Sequence, residues 1–233
     1  MINMPNEVIW ILFILFDLTI AVLIYKKFGR LGLYGLIVMD IILCNIQVIK
    51  QVNMFGLSAT LGNMLYASIF FSTDLLNEVY GRKEAQRAVV FGFIFLVLSM
   101  VVMQIALMFK PNESDFIQPA LVRIFSFFPR VVIASLIAYL ISQFHDVWAF
   151  NFWKRLTNER HLWLRNNLST MISQLIDSLI FCTIAFWGVF PTNVFIEITV
   201  TTYIFKWIIA AADTPFLYWA IRTKKKEKVG ELI

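Results

Sequence analysis

Charged side chains are scarce in this chain: Asp, Glu, Lys and Arg make up 15% of its 233 residues, where a globular domain carries roughly 25%. With 60% of the residues apolar, too little polar surface remains to cover a water-facing exterior, and a soluble monomer is excluded. Histidine and cysteine are nearly absent, two of each. Cys44 and Cys182 both fall inside apolar segments, so neither a disulfide framework nor a thiolate metal cluster is expected, and packing as small hydrophobes is. Catalytic motifs are missing as well: there is no His-Glu-x-x-His, no Gly-x-Ser-x-Gly and no Gly-rich phosphate loop. The expectation is a chain that is no enzyme, carries no cofactor or metal and hydrolyses no ATP itself. Met1 to Glu7 hold no Lys or Arg, so the first apolar stretch lacks the basic flank of a cleaved signal peptide and reads as retained.

What is present is a series of long apolar runs. Residues 88–109 contain no charge and are long enough on their own to cross the hydrocarbon core, which takes about 20 helical residues. Seven such segments, 8–25, 31–49, 57–79, 88–109, 117–148, 167–190 and 194–221, predict an all-α membrane protein: one integral membrane domain over residues 1–233, built as a polytopic bundle of about seven transmembrane helices. The fifth and seventh exceed what a perpendicular span needs, so they tilt or kink, with Pro129 and Pro215 as the kink points.

The net charge of +5 reports topology and not a nucleic-acid partner. Lys26, Lys27 and Arg30, then Arg82, Lys83 and Arg87, then Lys154, Arg155, Arg160 and Arg165, and finally Arg222, Lys224, Lys225, Lys226 and Lys228 fall on one side of the alternating segments. They are 15 of the 20 basic residues. The opposite loops, around Lys50, 110–115 and 191–193, hold two. Because Lys and Arg accumulate in cytoplasmic loops, seven spans in the cell membrane with the N-terminus outside and the C-terminus cytoplasmic satisfy every loop. The inner loop 151–165 mixes Phe152, Trp153, Leu156, Leu162 and Trp163 with basic residues, which suits a segment lying in the lipid headgroups.

Charges within spans cost about 2.5–3.5 kcal/mol each on insertion scales and face a cavity or a partner. Here they include Asp17, Asp40 with Asn45, Asp74 with Asn77 and Glu78, Arg123, Arg130, Gln174 with Asp177, Glu197, Lys206 and Asp213. Asp177 lies as far before the turn joining the last two spans as Lys206 lies after it, so an antiparallel pair of helices brings both to one level about 20 Å below the outer surface. Either a functional pair or one that only sets helix register would result. Gln174 and Asp177 share a helix face and together accept from and donate to a planar polar ligand. Glu78 lies near the inner end, where a local ion pair with Arg82 or Arg87 is expected. Asp17 stands alone on the first span.

Thr73 to Arg87 reads TDLLNEVYGRKEAQR, Arg130 to Asp146 RVVIASLIAYLISQFHD, Ser169 to Gly188 STMISQLIDSLIFCTIAFWG, and Tyr203 to Tyr218 YIFKWIIAAADTPFLY. In the order and spacing of its Thr-Asp, Arg, Ser-Gln-x-x-Asp and Lys elements, the chain resembles the vitamin uptake transporter family, whose members are queuosine precursor transporters. The resemblance runs from the second span to the seventh. It implies uptake of 7-deazaguanines (preQ0, preQ1 or queuine) for tRNA modification, on a six-helix fold similar to the substrate-binding subunits of energy-coupling-factor transporters. A deazaguanine presents an N–H beside an NH₂, which a carboxylate accepts bidentately, and a carbonyl that wants a donor. Asp177 or Asp74 would take the first role and Gln174, Asn45 or Arg130 the second, with Phe181, Phe186, Trp187 or Phe71 available for stacking. Lys206, Glu78 and Asp213 complete the candidate set. The expected partners are this small-molecule base and the lipid bilayer, with a homo-oligomer or an energy-coupling-factor ATPase module as further options. Small-residue patches at Ala134-Ser135 or Ala210-Ala211-Ala212 are where such a module would pack.

Overall fold

In lipid every backbone N–H and C=O must be satisfied within the chain, so apolar runs of this length become helices. The computed structural model describes residues 4–156 and 162–222. The tail carrying Lys224, Lys225, Lys226 and Lys228 lies outside the described residues, as do the side chains of the inner loop 151–165 apart from the exposed Phe152. The expectation of an interfacial anchor there falls outside them too.

The first helix, α1 (Asn6–Gln47), has 42 residues and would measure about 63 Å if straight. Its start nonetheless meets the chain just beyond its end: Asn6 Nδ2 donates to the Asn53 carbonyl at 2.9 Å, and the Phe55 amide donates to Glu7 Oε1 at 2.8 Å. The reversal is at Gly29, whose φ of 58° and ψ of −136° suit glycine alone. α1 is therefore two antiparallel arms, 6–28 and 30–47, matching the first two expected segments.

The third expected segment is corrected. Residues 51–60 form a hairpin, β1 (Gln51–Met54) paired antiparallel with β2 (Leu57–Thr60), followed by a 3₁₀ turn (Leu61–Leu65) and a 15-residue helix α2 (Tyr66–Tyr80). Phe55 and Gly56 both have positive φ, 52° and 80°, the twist that two-residue hairpins require. Then come α3 (Arg82–Met108), α4 (Gln118–Phe125), α5 (Phe128–Leu156), α6 (Leu162–Phe186) and α7 (Thr192–Arg222). The fifth expected segment is thus broken between α4 and α5, immediately before Pro129, which cannot donate to a preceding turn. Pro215 sits inside α7. Among the described residues, four stretches are long and apolar enough to cross a membrane: Asn6–Gln47, Arg82–Met108, Gln118–His145 and Thr192–Arg222. This is a multi-pass membrane protein.

The bundle is apolar outside and polar inside. Phe16, Leu31, Leu98 and Phe144 are exposed, while Asp40, Ser68, Ser72, Ser178, Thr202, Lys206 and Asp213 are buried, the arrangement lipid selects. Two cores hold it. One packs the α1 arms (Leu18, Leu33, Ile37) against α2 (Leu75, Leu76) and α7 (Ile209). The other packs Val131, Ala134 and Ala138 of α5 against Phe181, Cys182 and Ala185 of α6, small residues that let the two backbones approach. Ala134 is fully buried there and is not an outward docking patch. Ala210 and Ala211 are exposed. Both cysteines are free and buried.

The ends of the bundle are distinct. At one, Arg30 reaches Glu84 at 3.2 Å, Arg87 reaches it at 3.5 Å, and Lys26 lies 4.5 Å from the Trp219 ring. The first two basic clusters and the end of α7 therefore share one end. At the other, the β-hairpin covers the bundle, tied to α7 by the Ser58 amide donating to Glu197 Oε2 at 2.9 Å and by Thr201 Oγ1 donating to the Ser58 carbonyl at 3.1 Å. Glu197 is thus a hairpin anchor. The first described residues and the end of α7 lie at opposite ends.

Candidate functional site

Helices α6 and α7 are joined by a short turn and run antiparallel, so residues equidistant from that turn come level. Lys206 Nζ donates to Asp177 Oδ2 there, as the spacing predicts. Lys206 is 5% exposed and the Asp177 side chain 24%: the ammonium is shut in and the carboxylate is the open partner. Asp177 Oδ1 accepts a long hydrogen bond, 3.4 Å, from Ser142 of α5. Lys206 Nζ also lies 5.4 Å from the centroid of the Tyr66 ring, on the first turn of α2, a cation–π contact.

Tyr66 in turn lies among Cys44 of the second α1 arm and Asp177 and Cys182 of α6. The second arm of α1, α2, α6 and α7 thus converge on one interior point. Gln174, one turn before Asp177 on the same face, is half-buried, and its amide has no partner among the described residues. Asn45 is buried, with Nδ2 on the Ile41 carbonyl at 2.7 Å and Oδ1 accepting from Ser135. Nearby, Asn63 Nδ2 donates to Thr202 at 3.4 Å, and Asn63 Oδ1, fully enclosed, has no partner among the described residues. A carboxyl acceptor, an amide unpartnered among the described residues and an aromatic face can recognise a planar ligand with adjacent N–H donors and a carbonyl.

Other candidates lie elsewhere. Asp213 is 3% exposed with Oδ2 unpartnered among the described residues, and it faces Asp74 across α2 and α7. Both are about 10–12 Å further along their helices from the Tyr66–Lys206 contact. Glu78 is exposed and forms no ion pair among the described residues. The expected local pair is not made, because Arg87 and Arg30 converge on Glu84 instead. Arg130 caps the far end of α6, donating through Nε to the Ile184 carbonyl and through Nη2 to that of Trp187, both at 2.7 Å; carbonyls of a last turn lack intrahelical donors. Phe181 packs edge-on to Phe186 at 5.8 Å within the α5–α6 core, Phe71 is fully buried in the main core, and Trp187 is exposed. Tyr66, Ser142, Asn63 and Thr202 were not foreseen. Of these, only Asn63, an amide within an apolar run, carried a signal.

Residues 60–220 match the family described as "Putative vitamin uptake transporter". The chain belongs to the vitamin uptake transporter family. Within that family it is 44% identical, over 93% of this chain and 95% of the relative, to a "Probable queuosine precursor transporter" of Bacillus subtilis (strain 168). It is 31% identical, over 80% of this chain and 82% of the relative, to the "Queuosine precursor transporter" of Escherichia coli (strain K12). A Haemophilus influenzae relative named "Probable queuosine precursor transporter" is 30% identical over 58% of this chain and 55% of its own length. No solved structure matches the chain. The family match contains Tyr66, Gln174, Asp177 and Lys206, and it begins beyond α1. The chain is accordingly a membrane transporter and not an enzyme.

Proposed function

We propose that this transporter imports queuosine precursors, 7-deazaguanines such as preQ0, preQ1 or queuine, for tRNA modification, and that it binds the base beside Asp177 and Lys206. The observation that carries the reading is the half-open Asp177 carboxylate, oriented by a buried lysine, with the Gln174 amide, unpartnered among the described residues, one turn away. The base's N–H and NH₂ would be accepted by Oδ1, in place of the long Ser142 contact, and by the second lone pair of Oδ2. Gln174 Nε2 would donate to the ring carbonyl and Tyr66 would offer its face. Asp74, Asp213, Asn45 and Arg130 would act further along the path or through packing. Since Lys206 already neutralises Asp177, the cationic aminomethyl of preQ1 gains no free acid there. Calorimetric titration should therefore find preQ0 bound at least as tightly as preQ1; absence of binding by either would overturn the reading.

The arms of α1, the hairpin-capped α2, α3, the α4–α5 pair, α6 and α7 make seven crossings in this reading, six of them on a fold similar to energy-coupling-factor substrate subunits. The N-terminus lies outside and the C-terminus in the cytoplasm. The clustering of Lys26, Arg30, Arg82 and Arg87 at one end supports this orientation. Single cysteines at positions 26 and 82 should be protected from an impermeant thiol reagent in intact cells, and those at 112 and 193 labelled. Labelling of 26 and 112 from the same side would contradict it. Uptake by the purified chain alone in liposomes should be measurable, and a strict need for an added ATPase module would show a binding subunit instead.

A further inference from the structure

Asp17 and Asp40, 23 residues apart, meet at one residue because α1 doubles back at Gly29. The Ser68 amide donates to Asp17 Oδ2 at 3.2 Å, and the Ser68 hydroxyl donates to Asp40 Oδ2 at 2.6 Å. Asp17 is 8% exposed and Asp40 wholly buried. Among the described residues Asp40 Oδ1 has no partner, and neither does the buried hydroxyl of Ser72, one turn further along the same face of α2.

Among the described residues no cation answers these acids. On α1 the nearest bases, Lys26 and Arg30, are about 13–15 Å along the arms and engage Trp219 and Glu84. Tyr25 and Cys44 are the other titratable groups buried on those arms. From α2 come Tyr66, Asp74 and Glu78; from α7 come Lys206, already engaged by Asp177 and Tyr66, and Asp213. α3 buries only Ala88, Gly92 and Leu96. Two carboxylates held on one serine in a low-dielectric interior cannot both stay ionised. A metal ion is a poor answer, because the Ser68 N–H is aimed at Asp17, where a metal would need a ligand. A proton needs one oxygen, and Asp40 Oδ1 is free to take it.

We propose that Asp17, Ser68 and Asp40 form a proton-binding site that drives uptake through this transporter, an inference that rests on the transport reading above. A proton taken up on the outer side forms the O–H bond of a carboxyl at this pair. Its release on the inner side restores the carboxylate. Ser68 is two residues from Tyr66, whose ring carries the Lys206 ammonium, so movement of α2 on proton binding would be felt at the Asp177 site.

The test has two arms. Infrared spectra of the purified chain at pH 7 should contain a protonated-carboxyl stretch that shifts in D₂O and is lost in Asp40→Asn, with Asp17→Asn as the second variant should the first fail to fold. No such band in the unaltered chain, or a band of undiminished intensity in both variants, would overturn the proposal. In proteoliposomes an inward proton gradient should raise the initial rate of preQ0 uptake at least tenfold, and in Asp40→Asn the rates with and without the gradient should be equal. Uptake driven by sodium and indifferent to the proton gradient would equally overturn it. If the chain neither binds nor moves deazaguanines, the substrate assignment fails by itself, and the infrared arm still decides the proton site.

Discussion

Asp177→Asn should weaken deazaguanine binding by about 2–4 kcal/mol, roughly 30-fold to nearly 1,000-fold in Kd. The amide keeps one carbonyl oxygen for Lys206, so the α6–α7 contact survives in part. What it turns toward the ligand is an NH₂ facing the base's own donors, and a desolvated mismatch of that kind is not repaired by water. Glu78→Gln should move affinity less than tenfold, because Glu78 is exposed at the basic end of the bundle and has no ion-pair partner among the described residues. Calorimetry of preQ0 on both variants measures the difference. Unchanged affinity in Asp177→Asn would remove that residue from the site.

Taking away one member of the Asp177–Lys206 pair should cost about 3–5 kcal/mol of stability, and the two halves are unequal. Asp177→Leu strands an ammonium that is 5% exposed, whereas Lys206→Leu strands a carboxylate that is 24% exposed and can draw on water. The first should therefore lower the unfolding midpoint more than the second. The Tyr66 ring beneath Lys206 offsets about 0.5–2 kcal/mol of the stranded charge, too little to reverse the order. The double replacement by leucine should recover most of the stability while uptake stays lost. Full uptake in the double variant would mean that the pair serves only to set helix register.

The proximity of Asp177 and Lys206 was legible from the chain because it depends on two quantities a sequence states outright, the residues on each side of a short turn and the rise per residue. The hairpin at 51–60 was not. Its turn is Phe55-Gly56 and not one of the Asn-Gly or Asp-Gly pairs that announce such a reversal, and its strands are four residues each, the first in the polar gap between two expected spans and the second at the start of an apolar run that reads equally well as helix. Glu197 looked like an intramembrane charge for the same reason, since the strand it anchors was invisible. Glu78 was assigned partners by nearness in sequence, but Arg30, from a helix arm 48 residues upstream, draws Arg87's partner Glu84 into a separate cluster at that end.

Composition by itself determined the solvent: with so few charges and so many long apolar runs, lipid had to surround this chain, and the basic residues then marked which loops share a side. Family membership was likewise legible in the motif order. The facing of the polar residues was decided only by tertiary structure. In water an amphipathic stripe tells a helix which side turns inward, but in lipid both sides are apolar, and rotation about the helix axis is left to packing. Asp17 met Asp40 because Gly29 reverses α1 and Ser68 fits between its arms. Ala134 turned inward because only small side chains allow α5 and α6 to approach so closely.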